Sequence, residues 1–210
     1  MFKTINKNVS AEIVEKKSKF IANIFYVETV EEAEEKVKEI KKKYFDARHN
    51  CFAYSVFTKD GIVNRFSDDG EPSGTAGAPM LNILNSKGIT NLVVVVTRYF
   101  GGILLGTGGL IRAYTGATQE ALTKIEEVCK DLGLEAKLQT TYPDLEKLKY
   151  YLKQNNIEIT NIEYNEEVIV YVDITQEKYD ELLCNLEGYD LNFNLTKTEI
   201  EKEKYIVIEE

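Results

Sequence analysis

The 210-residue chain has no tryptophan, three prolines, three cysteines and one histidine, and each shortage excludes something. With three prolines and 13 glycines it is neither collagen-like nor of low complexity. Cys51, Cys129 and Cys184 are odd in number and far apart, so they read as reduced thiols rather than a disulfide framework. His49 stands alone, with no second histidine and no Cys-x-x-Cys pair to complete a zinc site. The longest apolar run, around Leu92–Val96, is far short of the roughly 18 residues a membrane-spanning helix needs. The opening Met1-Phe2-Lys3-Thr4-Ile5 lacks a signal core of about 7–15 apolar residues, so a cytoplasmic location is expected. Gly-x-Ser-x-Gly, His-Glu-x-x-His and Ser-x-x-Lys signatures are also missing.

What is present is a foldable chain. It is 43% hydrophobic, with 13 Tyr and 9 Phe, enough to bury a core. The formal charge of −9 is unevenly spread. Residues 1–126 hold 17 cationic and 15 acidic side chains, whereas residues 127–210 hold 9 and 20. Eleven of the 13 glycines precede residue 127. This break predicts two domains, 1–129 and 130–210, joined near Cys129–Gly133 by a short connection.

Alternation predicts strands over Ala11–Glu15 and Phe20–Val27. Thr29 with Glu32 three residues on is a capping box, opening a helix to about Lys43 with Val30, Ala33, Val37 and Ile40 on its apolar stripe. Lys36, Lys38, Lys41, Lys42 and Lys43 complement the negative end of its dipole. Asn50–Phe57 and Ile62–Phe66 read as a hairpin around Lys59-Asp60-Gly61. A short helix fits Pro79–Asn85, and Leu92–Tyr99 reads as a buried strand. Leu110, Tyr114, Ala117, Ala121 and Ile125 trace one helical face.

Two loops carry the chemical information. The first contains Asp68, Asp69, Gly70, Glu71, Pro72, Ser73, Gly74 and Thr75 and runs to Pro79. Gly74 and Gly77 leave backbone N–H groups open to an anion just ahead of a helix. The three carboxylates argue for a cation, or for pairing with arginines. An elaborate structural turn, a binding surface and a metal or catalytic loop all remain open. The second loop contains Arg98, Tyr99, Phe100, Gly101, Gly102, Ile103, Leu104, Leu105, Gly106, Thr107, Gly108 and Gly109, followed by Arg112. Its strand–loop–helix layout is that of a phosphate cradle, yet its glycine spacing fits neither the dinucleotide fingerprint nor the Walker loop. Arg112, placed by this reading in the first helical turn, opposes the dipole and implies an acidic partner such as Asp68 or Asp69, or an external phosphate. His49 and Cys51 sit at i and i+2 of a strand and face one side, which permits a Cys–His nucleophile pair or a plain structural contact.

Taken together, Asp69–Gly77, Arg98–Gly106, Gly108–Tyr114 and His49-Asn50-Cys51-Phe52-Ala53-Tyr54 resemble the IMPACT family, in its YigZ-like two-domain bacterial form. The resemblance covers about residues 15–125. It implies an α+β protein: an N-terminal ribosomal-protein-like α/β sandwich, similar to the penultimate domain of elongation factor G, then a ferredoxin-like domain. It also implies a link to translation. The eukaryotic relative restrains activation of a kinase that represses translation initiation, through an added N-terminal domain. No such extension precedes the motifs here, so that interaction is not expected of this chain. No residue supports the peptidase label that some bacterial members carry.

The second half supports the same architecture independently. Glu135–Thr141, Ile157–Tyr164 and Glu167–Ile174 read as strands, and Leu191–Thr198 and Lys204–Ile208 as one split strand. Pro143 and Asp144 open a helix with Leu145, Leu148, Tyr151 and Leu152; Thr175 caps another with Tyr179, Leu182, Leu183 and Leu186. The order βαββαβ is ferredoxin-like.

The function expected is that of a translation-associated binding protein, contacting RNA, the ribosome or a translation factor. The expected contact set is His49, Asp68, Asp69, Gly70, Glu71, Ser73, Gly74, Thr75, Arg98, Tyr99, Gly101, Gly102, Gly106, Gly108, Gly109 and Arg112. Arg48, Arg65 and the Lys36–Lys43 helix end would add positive charge. No catalytic residue, metal ligand or cofactor is assigned. The competing readings are a hydrolase or phosphate-ligand enzyme at the 68–75 and 101–109 loops, and an anion or small-molecule sensor.

Overall fold

The computed structural model describes residues 1–58, 60–187 and 191–208. The chain divides into two compact units, Phe2–Cys129 and Lys130–Glu210, the latter grouped with Met1. Both are mixed α and β.

The first unit is built on a five-stranded antiparallel sheet of β2 (Val9–Glu15), β3 (Ser18–Tyr26), β4 (His49–Thr58), β5 (Gly61–Ser67) and β6 (Leu92–Tyr99), in the order β2-β3-β6-β4-β5. β6 lies at its centre, paired from Lys19↔Tyr99 to Tyr26↔Leu92 on one side and from His49↔Arg98 to Ser55↔Leu92 on the other. Its valines explain the position. Val94 and Val96 enter a core beneath α2 (Gly77–Lys87) and α3 (Gly106–Leu122), while Val93 and Val95 enter a second core beneath α1 (Val30–Lys43). A strand covered on both faces needs a continuous apolar run, not alternation. Each valine so buried is worth about 1.5–3 kcal/mol.

The α1 start follows the capping box with one shift: Thr29 Oγ1 accepts from Glu32 N at 3.1 Å, while the Glu32 carboxylate accepts from Glu28 N at 2.7 Å rather than from Thr29. β1 (Phe2–Ile5) closes the unit, with Thr90 N donating to Lys3 O and Asn6 N to Glu126 O, both at 2.9 Å. The β4–β5 pairing closes at Thr58↔Gly61; Lys59, within the expected turn, lies outside the described residues.

Two expectations are corrected. α2 begins at Gly77 and not at Pro79, because its first amides are capped from the preceding loop, as described below. α3 begins at Gly106, which enters it at a left-handed φ of 70°, so Gly108 and Gly109 are helical, the loop is only 100–105, and Arg112 stands in the second turn. Low helix propensity made these glycines read as loop. The helix start itself favours glycine at 109, where a Cβ would stand 3.1 Å from Cβ of the N-cap residue Leu105.

The second unit has the βαββαβ order of β7 (Glu127–Thr140), α4 (Leu145–Gln154), β8 (Glu158–Tyr164), β9 (Val168–Thr175), α5 (Gln176–Glu187) and β10 (Leu195–Ile208). β9 lies between β7 and β8, and β10 pairs with β7 on its other side, which is the ferredoxin-like strand order. Val168, Val170, Val172 and Ile174 alternate inward from β9 against Leu145, Leu148 and Leu152. Thr175 caps α5 through Lys178 N at 3.3 Å. β10 is continuous rather than split, and β7 starts eight residues before the expected Glu135. Neither was legible, because Glu127–Gly133 and Glu199–Lys204 are charge-rich segments without apolar alternation. No helix among the described residues is long and apolar enough to cross a membrane.

Candidate functional site

Antiparallel pairing gathers four connections at one end of the first sheet: the β2–β3 turn, the α1–β4 link, the β5–α2 loop and the β6–α3 loop. Nearly all the motif residues lie there.

The β5–α2 loop is held from within by its own carboxylates. Asp68 Oδ1 accepts from Ala76 N at 3.0 Å and Gly77 N at 2.8 Å, and its Oδ2 accepts from Gly74 N at 2.8 Å. Asp68 is thus the cap that Ala76, the residue at the N-cap position, cannot supply. Burial alone would raise its pKa, but the three amides together hold it below the usual carboxylate range. Asp69 pairs with Lys41 at 2.6 Å and accepts from Asn50 N at 2.7 Å. Glu71 Oε1 accepts from Arg98 Nη1 at 2.6 Å and from Tyr114 OH at 2.8 Å, with both ionic side chains buried. The three carboxylates therefore diverge onto separate partners. Among the described residues no cluster of His, Cys, Asp and Glu could hold a metal ion.

Asp68 ionisation links to stability with a definite sign. Its folded pKa is depressed, so its contribution is fully present above the unfolded carboxylate range and is lost as pH falls through the folded value. Asp68→Asn removes that linkage and sets an amide NH₂ against one of the three donors. The variant is expected to lose about 1–3 kcal/mol at neutral pH. In thermal melts from neutral to acid pH, it should also lose Tm less steeply than the parent protein.

Cys51 and His49 do not form a nucleophile pair. Cys51 is fully buried and its Sγ donates to Asp68 O at 2.9 Å; burial pushes its thiol up to about 12, away from the thiolate a nucleophile needs. His49 Nδ1 donates to Asp69 O at 2.8 Å, and its ring lies against Gly70, where a Cβ would stand 3.4 Å away. Both side chains fasten β4 to the 68–71 loop.

Arg112 pairs with neither Asp68 nor Asp69 among the described residues, because the 74–77 amides and Lys41 take those carboxylates, whereas Arg98 pairs with Glu71. The Arg98 guanidinium lies between two rings, 5.5 Å from the Phe20 centroid and 5.6 Å from that of Phe100. It is thereby withdrawn from solvent and unable to meet a phosphate directly. Tyr99 points to the α1 side and donates to Asp46 at 2.7 Å, a bond that pushes its phenol up to about 12. Arg112 is exposed and makes no ion pair among the described residues. Ser73 and Gly74 are exposed, whereas Thr75 is buried with its hydroxyl donating to Pro72 O at 2.6 Å.

Beyond these residues, the loop presents apolar surface: Phe100 is 49% exposed, Ile103 42% and Leu104 84%. The backbone fixes it there. Gly101 packs so closely on the β2–β3 turn that a Cβ would meet Lys17 C at 2.0 Å and Ser18 N at 2.4 Å. Gly101 N also donates to Ser18 Oγ at 3.1 Å.

The sequence reading missed the turn itself. Glu15↔Ser18 closes a two-residue hairpin loop whose central residues, Lys16 at φ 44° and Lys17 at φ 64°, are both left-handed, as a type I′ turn requires. Lysine is a poor choice there, at about 1 kcal/mol or more for each residue, and Asn-Gly would be the ordinary solution. The sequence carries no turn-forming residue type there, and the two-residue spacing emerges only from the Glu15↔Ser18 pairing.

Residues 16–122 match the model of the Impact N-terminal domain, and residues 138–183 that of a domain of unknown function, DUF1949. The chain belongs to the IMPACT family. It is 42% identical over 165 residues to the family member YvyE of Bacillus subtilis, spanning 79% of this chain and 76% of that protein. It is 38% identical over 175 residues to the family member YigZ of Escherichia coli, spanning 83% and 86%. A crystal structure described as that of an hypothetical protein superposes over 100% of this chain and 98% of its own, with 34% identity and a TM-score of 0.65. The Impact N-terminal match opens on Lys16 and closes on the last residue of α3, so it takes in all four connections of the site.

Proposed function

We propose that this IMPACT-family chain is a cytoplasmic, translation-associated binding protein. Its first domain, residues 1–129, would contact RNA, the ribosome or a translation factor; the acidic domain, residues 130–210, would orient it or engage a basic partner. One observation carries the reading. The groups that chemistry would need, the Asp68, Asp69 and Glu71 carboxylates and the Cys51 thiol, are all turned inward onto protein partners. The groups the same loops turn outward are Phe100, Ile103, Leu104, Ser73, Gly74 and Arg112, an apolar and cationic set suited to docking. Family membership supplies the translational context.

The test is co-sedimentation of the purified full-length protein with ribosomes. At about 50 mM salt the protein is expected in the ribosomal fraction, and at about 300 mM it is released. Leu104→Ser with Arg112→Ala is expected to leave it at the top of the gradient. Failure of the parent protein to sediment at low salt overturns the reading.

A further inference from the structure

We infer that the end of the first sheet is a binding platform for a single-stranded nucleic acid, on which Phe100 stacks a base and the Lys16–Lys17 turn grips the backbone. The inference rests on the translation-associated reading above and names its partner.

Three observations converge. First, Phe100 is a ring with one face already engaged. Its inner side lies over the Arg98 guanidinium, which Glu71 and Tyr114 hold in the buried network, and about half of its surface stays open. A fixed, half-exposed aromatic ring is what base stacking requires. Arg98 is therefore a positioning residue for Phe100. Second, Gly101 locks that ring beside a strained turn carrying two adjacent ammonium groups. Phe45 stands on the neighbouring α1–β4 link, 84% exposed and tied to the same end through the Asp46–Tyr99 bond. Third, charge at this end is unbalanced after internal pairing. Asp69 and Glu71 are ion-paired, and Asp46 and Asp68 keep their charge while accepting from a phenol and from backbone amides, whereas Lys16, Lys17, Arg48 and Arg112 are exposed and form no ion pair among the described residues. Glu15, at the foot of the turn, is exposed as well, so these four cations stand against the three carboxylates of Glu15, Asp46 and Asp68, an excess of one positive charge. Aromatic rings interleaved with free cations across three of the four connections fit a flexible polyanion with π-faces better than a folded protein surface.

The turn provides a decisive variant. Lys16→Asn with Lys17→Gly installs the residues a type I′ turn prefers, so Tm is expected to rise while two cations vanish. The probe is fluorescent dodecauridylate, with dodecathymidylate and a deca-glutamate peptide in parallel, read by anisotropy on the full chain. At about 50 mM salt the parent is expected to bind the uridylate, and the double variant to bind at least about tenfold more weakly. Its salt slope should fall by about 1.4, two phosphate contacts at about 0.7 each. Phe100→Ala is expected to weaken binding about tenfold without changing the slope. Equal binding of thymidylate assigns recognition to bases and phosphates rather than to the ribose hydroxyl. Undiminished binding by the turn variant overturns the inference, and so does binding of the peptide in place of both oligonucleotides. A parent that sediments with ribosomes but ignores both oligonucleotides sinks this inference alone; one that does neither sinks both readings.

Discussion

Glu71→Ala is expected to destabilise the first unit by about 3–5 kcal/mol, the usual cost of removing one member of a buried ion pair. The mechanism is specific. Arg98 and Glu71 are 8% and 3% exposed at their side chains, and Arg98 Nε is already buried without a partner. Without the carboxylate, the guanidinium keeps its charge, loses its acceptor and cannot reach water; Tyr114 OH loses its acceptor as well. Urea unfolding followed by far-ultraviolet circular dichroism measures the loss. Arg98→Met combined with Glu71→Leu is expected to recover most of it, because a hydrophobic pair leaves no orphaned charge. If the single variant costs under about 1 kcal/mol, the pair is solvated and its role as a clamp on Phe100 falls.

Gly101→Ala is expected to be at least as damaging. The methyl group would overlap Lys17 and Ser18 backbone atoms at 2.0–2.4 Å, and backbone cannot step aside as a side chain can. Either the β6–α3 loop lifts from the β2–β3 turn or β3 parts from β6 at its Lys19↔Tyr99 end. Gly102→Ala is the control. Gly102 has φ 86° and nothing within 4 Å of its Cβ position, so the substitution costs only the left-handed strain of about 1 kcal/mol. Paired thermal melts should show a large drop for the first and a small one for the second. Equal drops would mean that conformation, not close packing, selects glycine at both sites.

How much of this was legible in the sequence depended on the range over which each signal acts. The Val93–Val96 run announced a strand buried on both faces, and Thr29 with Glu32 announced the α1 start, because both signals are local. The α2 start was misplaced because its cap, Asp68, lies eight residues before Ala76. Capping rules look only at the adjacent residue. The 68–71 carboxylates stand out in the sequence as a group, but their individual partners, Lys41, Arg98 and the 74–77 amides, come from different elements. Spacing along the chain cannot assign them. The Lys16–Lys17 turn escaped for the opposite reason: propensity argues against it, and only the pairing of β2 with β3 imposes it.

The alternation of β6 between two cores has a mechanical consequence. Val94 and Val96 secure α2 and α3, while Val93 and Val95, one residue away, secure α1. Neither helical layer can peel away without exposing a strand on which the other depends. Sub-global melting of one layer is thereby coupled to the other, and the three layers open as one cooperative unit.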